Sequence, residues 1–373
     1  MVMDVISLTK KLLSFNSINP PGNEGEIAIF VGDLLSGFGF HTEYYAFEKD
    51  RLHLIAEKGL SGKEPPIVLS GHFDTVPLGN KKWSIDPFAG EISEGKIWGR
   101  GSSDMKGGLA AMILASVQSF NETPPEGGIR LIFTAGEELG CLGVQQLVKA
   151  IKDPGKACAI IVGEPTSNIP VTGHKGALYL NAVTSGITSH SSMPELGVNA
   201  IYKAARSIMK IIDFNFETER DPLLGLPTIN VGKINGGMNI NSVPDHAEFT
   251  IDIRSTTKTD HSKILIKLGK ELGNETVLET LVNLNPVSTD ETDPFIQLVY
   301  DVCGVDRADK TFPKAIPYLT DGSVLQRVYN GVPTVILGPG QPEMAHQTDE
   351  YCYLQKLEQS VHIYKDIILK WRN

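Results

Sequence analysis

Five short runs of this sequence are mostly apolar and lack the alternation of a half-exposed strand: HLIAEK (53 to 58), IVLSG (67 to 71), IRLIFT (129 to 134), CAIIVG (158 to 163) and PTVILG (333 to 338). A strand with one wet face alternates apolar and polar side chains, so such runs belong to a sheet buried on both faces. Helix-like segments lie among them, near residues 25 to 38, in DMKGGLAAMILASVQSF after Ser103, and near 354 to 371. The DMKGG segment is apolar on nearly all sides, as a helix packed into a large core is. Strands alternating with helices predict an α/β sheet covered by helices.

The middle of the chain follows another rule. ALYLNAVT (177 to 184) alternates. VNAIYKAARSIMKII then carries Val198, Ile201, Ala205, Ile208 and Ile212 at helical spacing. TINVGKI (228 to 234), HAEFTIDIR (246 to 254), a helix near 259 to 271 and TVLETLVNL (276 to 284) complete the order β-α-β-β-α-β, a compact supersecondary unit. With 373 residues the chain exceeds what one core usually holds. We therefore expect a first domain split into residues 1–169 and 288–373 by an inserted domain at 170–287.

Composition removes several classes of function. Apolar residues make up 41% and charged residues 21%, which excludes wholesale disorder. The formal charge is −10 with basic residues scattered, so no nucleic-acid partner is expected. Cys141, Cys158, Cys303 and Cys352 show no metal-binding or redox spacing and read as reduced, buried thiols. The segment MVMDVISLTKKLLSF reads as an amphipathic helix capped by Asp4, not as a leader peptide, and no stretch is apolar enough to span a membrane. The expectation is a soluble, cytoplasmic protein without a membrane partner.

In an open α/β sheet, ligands gather beyond the carboxyl ends of the strands. After IVLSG come His72 and Asp74, after IRLIFTAG come Glu137 and Glu138, after CAIIVG comes Glu164, and after PTVILGPGQPEMA comes His346. Asp104 follows the glycine-rich turn GRGSS. Singly, each has an ordinary reading: a hydrogen-bonded His at a strand end, an Asp capping a helix, two solvated Glu residues. Together, carboxylates crowded on one sheet edge repel unless cations lie among them. Imidazole nitrogens and carboxylate oxygens suit zinc, cobalt or manganese. Two divalent ions carry four positive charges, which Asp104, Glu138, Glu164 and a hydroxide offset, leaving Glu137 free as a base. Asp74, two residues past His72, is placed to accept an imidazole N–H and fix its tautomer.

At these residues the chain resembles the M20 family of metallopeptidases and amidohydrolases, in particular its acetylornithine deacetylase and succinyl-diaminopimelate desuccinylase branch. SGHFDTVP, IWGRGSSDMKGGLAA, TAGEELG, GEPT, SHSSMPELGVNAI, NSVPDHAEFTIDIR and AHQTDEY carry the likeness nearly end to end. The resemblance implies a zinc-peptidase-like catalytic domain with a mixed central sheet and an inserted ferredoxin-like domain that serves as lid and dimerisation module. It implies two divalent ions, zinc first. His72, Glu164 and a bridging Asp104 would hold one ion, and Asp104, Glu138 and His346 the other. Glu137 would be the general acid and base, and Asp74 the orienting carboxylate. A cis peptide after Asp104 is implied as well.

The resemblance further assigns His190 to the oxyanion in a partner subunit's site, and Arg254 and Asn241 to the substrate. Arg254 has the competing reading of a strand-surface ion pair with Asp252 or Glu248, and His190 that of a capped loop residue. YLTDGSV resembles the family's substrate-side loop, adding Thr320, Asp321 and Gly322. The expected reaction is hydrolysis of an amide between a small acyl group and an amino acid by a homodimer. A dipeptidase, aminopeptidase or carboxypeptidase of the same fold is the second reading, and a non-catalytic scaffold the third; the complete set of ligands and base speaks against the scaffold.

Overall fold

The structure is a computed structural model that describes residues 4–60, 62–306 and 311–371. The chain divides into two compact units, residues 1–173 with 288–373 and residues 174–287.

The first unit opens with α1 (Val5–Leu13), whose first turn is closed by the Asp4 carboxylate accepting the Ser7 N–H at 2.8 Å. Val5, Leu8 and Leu12 are buried along it, the apolar face of the amphipathic helix read from the sequence. Then come α2 (Glu24–Gly37), β1 (His41–Glu48), β2 (Arg51–Lys58), β3 (Ile67–His72), α3 (Lys106–Glu122), β4 (Ile129–Thr134), α4 (Leu142–Ala150) and β5 (Ala159–Val162). The second unit contributes β6 (Gly176–Ser185), α5 (Ala200–Ile212), β7 (Thr228–Gly236), β8 (His246–Ser255), α6 (His261–Leu272) and β9 (Thr276–Leu284). The chain then returns to the first unit with α7 (Pro294–Cys303), α8 (Gly322–Val328), β10 (Thr334–Ile336) and α9 (Leu354–Lys370).

In the first unit the strands form one mixed sheet in the order β1-β2-β4-β3-β5-β10. β1 and β2 run antiparallel to each other, as do β2 and β4, whereas β4, β3, β5 and β10 are parallel. Ile67, Leu69, Leu131, Phe133 and Ile161 share a core with α1, α3, α7 and α9. Val68, Ile132, Ile160 and Val162 point the other way and are also buried, on the side where α4 meets β4 and α8 meets β5. Burial on both faces explains why these strands do not alternate. β1 escapes the sequence reading because it is an edge strand whose charged and polar residues lie mostly at the surface.

The second unit is a four-stranded antiparallel sheet in the order β7-β8-β6-β9, crossed by α5 and α6, the ferredoxin-like arrangement. Leu178, Leu180, Phe249, Ile251, Ile264 and Leu268 form its core. One detail departs from the expected pattern. α5 buries Ala200, Ala204, Ser207 and Ile211, while Ile212 stays 67% exposed. Small residues let the helix approach the sheet closely, so the buried stripe is turned from the one the larger apolar residues suggest.

Candidate functional site

Because β3, β4 and β5 are parallel, their carboxyl ends open on one edge of the sheet, where the chain sets its chemistry-bearing residues. His72 closes β3 in register with Thr134, the last residue of β4. The Glu137–Glu138 turn follows β4, and Glu164 lies two residues past β5. Asp104 sits between the GRGSS turn and α3, and its peptide with Met105 is cis, as the resemblance implies. It does not cap α3, whose N-cap position is Met105.

Asp104 lies at the centre of the group. One of its oxygens is 3.2 Å from His72 Nε2 and the other 3.5 Å from His346 Nε2. Glu164 stands 3.8 Å from the first imidazole and Glu138 3.2 Å from the second. Ligand atoms of His72, Asp104 and Glu164 lie within 4.8 Å of one another, and so do those of Asp104, Glu138 and His346. Each imidazole therefore faces two carboxylates, and Asp104 belongs to both triads.

The protonation equilibria report the same crowding. Burial would raise Asp104, but hydrogen bonds from His346 and His72 outweigh it and hold the carboxyl below its usual range. Burial would lower His72, yet Glu164 and Asp104 push it well above the ordinary imidazole value. The Asp104 and Glu138 contacts carry His346 up to about 10. Burial moves Glu164 up to about 7 and also raises Glu138.

The donor set fits two cations better than it fits protons. His72 Nδ1 donates to the Asp74 backbone carbonyl at 2.9 Å, so Nε2 is the atom presented to Asp104 and Glu164, where a cation would take the place of its proton. Glu138 Oε1 is buried without a hydrogen-bond partner, an orphaned anion that a cation would satisfy. Three carboxylates and two imidazoles, with one carboxylate shared, form an O/N set suited to a pair of divalent ions.

Asp74 works differently from the sequence expectation. Its carbonyl, not its carboxylate, takes the His72 proton, and the nearer carboxylate oxygen is 3.6 Å from Nδ1. The carboxylate instead accepts the backbone N–H groups of Glu137 and Glu138, each at 3.1 Å, and the Asn19 side-chain amide at 2.9 Å. Asp74 thus fixes the tautomer of one candidate ligand through its main chain and the Glu137–Glu138 turn through its side chain. Glu137 is buried, and Cys141 Sγ donates to its Oε1 at 3.1 Å. Burial, followed by the charges of Glu164, Glu138 and Asp321 against that of His72, pushes the Glu137 carboxyl well up.

Thr320, Asp321 and Gly322 are buried. Asp321 accepts the Thr134 hydroxyl at 2.5 Å, lies near Glu137 and Cys141, and Gly322 N–H is donated to Thr320 Oγ1 at 3.1 Å. In the second unit, His190 and Asn241 are exposed and adjacent, with Ser191 N–H donated to the Asn241 carbonyl at 3.0 Å. His190 Nδ1 is 2.7 Å from Ser192 Oγ. Arg254 is held by Asp252 through contacts of 2.9 and 3.2 Å and lies over the Tyr179 ring, so the ion pair weighed from the sequence is formed.

Sequence reasoning missed the residues that support the site. Glu350 is fully buried and accepts the N–H groups of Gly101, Ser103 and Asp104 at 2.9, 2.8 and 3.0 Å, with Arg100 Nη1 at 2.7 Å. Asn19, in the INPPGNE turn, and Cys141 were equally silent. The one available signal for Glu350 was a carboxylate in a loop four residues past His346.

A sequence profile of the peptidase family M20/M25/M40 matches residues 68–370. A probable succinyl-diaminopimelate desuccinylase of Staphylococcus epidermidis is 30% identical, over 98% of this chain and 96% of the relative. An acetylornithine deacetylase of Vibrio parahaemolyticus is 28% identical, over 96% and 95%. Among solved structures, an M20 family metallo-carboxypeptidase from Sulfolobus solfataricus superposes with a TM-score of 0.79 at 19% identity, over 98% of this chain and 99% of that one. A dinuclear metal-binding M20 peptidase from Bacillus subtilis gives 0.69 at 15%, over 98% and 96%.

Proposed function

The chain belongs to peptidase family M20/M25/M40, and from that premise we propose that it hydrolyses the amide bond of a small N-acyl amino acid. The observation that carries this reading is Asp104, whose two oxygens face two imidazoles, with Glu137 near enough to feel the charges of His72, Glu164 and Glu138. The names of the relatives, a desuccinylase and a deacetylase, favour a succinyl or acetyl group.

We assign one ion to His72, Asp104 and Glu164 and a second to Asp104, Glu138 and His346. Zinc is the first choice, with cobalt and manganese suited to the same donors. Ions bound there would polarise the acyl carbonyl and lower the pKa of water to about 7. Glu137 then takes the proton of the attacking water and returns it to the departing amine. Its burial and raised pKa suit a group that must hold a proton between the two steps. Asp74 keeps that turn in place. His190 is assigned to the oxyanion and Arg254, with Asn241, to the substrate carboxylate, for which the guanidinium fork is the fitting partner once it leaves Asp252. Thr320, Asp321 and Gly322 are assigned to the substrate-side loop, with Asp321 also lying near Glu137.

Tyr202, Met209 and Ile212 leave an apolar stripe of α5 in solvent, which supports assembly as a homodimer. Cys141, Cys303 and Cys352 form no disulfide, which supports a cytosolic assignment; among the described residues, no helix is long and apolar enough to cross a membrane.

The deciding assay compares N-acetyl, N-succinyl and N-formyl amino acids with free dipeptides in the presence of zinc or cobalt, reading amine release. Turnover of acylated amino acids is expected. Turnover of dipeptides alone would replace this reading with a peptidase.

A further inference from the structure

The candidate ligands are mounted in two ways. His72 ends β3 within the ladder, and Glu164 follows β5 by two residues, so the sheet fixes both. Asp104 and His346 hang from irregular backbone. His346 has a left-handed φ of 64° and a side chain 53% exposed, and its side-chain partners in the cluster are Asp104 and Glu138. Nothing in the sheet dictates where these two residues stand.

What fastens their loops together is Glu350. It follows His346 by four residues, and its carboxylate reaches three amides of the Asp104 loop, including the N–H of Asp104 itself. Arg100, 1% exposed, supplies the countercharge and donates its other Nη to the Pro77 carbonyl at 3.1 Å. Ser103 ties the same two loops beside it, donating to the Tyr351 carbonyl at 2.7 Å and accepting the Gln341 N–H at 2.9 Å. A buried carboxylate satisfied by four donors is held where those donors meet, because moving it would strand a charge in a low-dielectric interior.

We propose that Glu350 is a positioning residue that builds the Asp104–Glu138–His346 half of the site by binding the loop of Asp104 to the loop of His346. The other half depends on it less, because the sheet places two of its three members. This rests on the cation assignment above and adds to it an order of dependence between the two halves.

The test titrates metal-free, full-length protein with Co²⁺, followed by calorimetry and by visible absorbance. Glu350→Gln keeps the size of the side chain but turns an amide NH₂ toward N–H donors. The expected result is a first ion bound almost as in the unaltered protein and a second bound at least about tenfold more weakly, the range for partners that orient metal ligands. Two ions held with unchanged affinities would overturn the proposal, as would an equal loss of both. If the unaltered protein takes up no divalent ion, the cation assignment itself fails, a separate outcome that also removes the proposal. Should circular dichroism show that Glu350→Gln does not fold, Glu350→Asp carries the test. It keeps the charge, cannot span all three amides, and is expected to weaken the second ion alone; unchanged affinities there also overturn the proposal.

Discussion

Glu137 and Glu138 are neighbours in sequence with different surroundings. Glu138 reaches His346, while Glu137 turns inward to the Cys141 thiol. Glu137→Gln should therefore leave cation stoichiometry intact and lower kcat by about 10²- to 10⁴-fold, the usual worth of a positioned acid–base group. Elemental analysis alongside steady-state rates checks both halves of that expectation, and a near-normal rate would take Glu137 out of the chemistry. His72, Glu138 and Glu164 were legible in the sequence because each follows a strand whose apolar run marks the sheet edge. Glu350 was not, because its meaning lies in amides 246 to 249 positions away. Asp74 was half legible: its place beside His72 could be read, but the bonds of its carboxylate to residues 137 and 138 could not.

At the scale of elements, α4 presses unusually close to the turn that delivers the two glutamates. A Cβ on Gly143 would lie 1.6 Å from the carbonyl oxygen of Ala135, a backbone atom with no room to retreat. Gly143→Ala should destabilise the protein by about 2 kcal/mol, within the range for overpacked sites, and slow turnover by moving Ala135 and the turn after it. Urea denaturation and kcat measured together check this; a neutral effect on both would show that the turn yields freely. No sequence signal marks this glycine, since it sits inside a helix where glycine is ordinarily unfavourable. The doubly buried strands were easy to read by contrast, and the polar edge strand β1 was not.

For the whole molecule, one histidine buried neutral in each unit links folding to pH. Burial holds His53 and His174 down at about 4, against an unfolded value of about 6.5. Above pH 6.5 neither state takes up a proton there. As pH falls from 6.5 toward 4 the unfolded chain is protonated and the folded one is not, so each residue removes about 1.4 kcal/mol of stability per pH unit. Burial raises Glu164 and Glu137, which act in the opposite sense over this range, so the check is a difference. Between pH 7 and 5.5 the urea midpoint of chelator-treated His53→Gln, which can still accept the Ala135 N–H, should fall less, or rise more, than that of the unaltered protein, and equal changes in the two would remove His53 as the cause.

The path of the chain at the junction carries a last consequence. Thr289 donates its N–H to the Thr172 carbonyl at 2.9 Å, so the backbone leaves the first unit and re-enters it at adjacent points. Residues 174–287 are in that sense a pendant on a closed ring. A protein with the pendant replaced by a short glycine turn should complete its six-stranded sheet and still take up cations, yet release no amine. That outcome would make the pendant exchangeable without disturbing the ring that carries it.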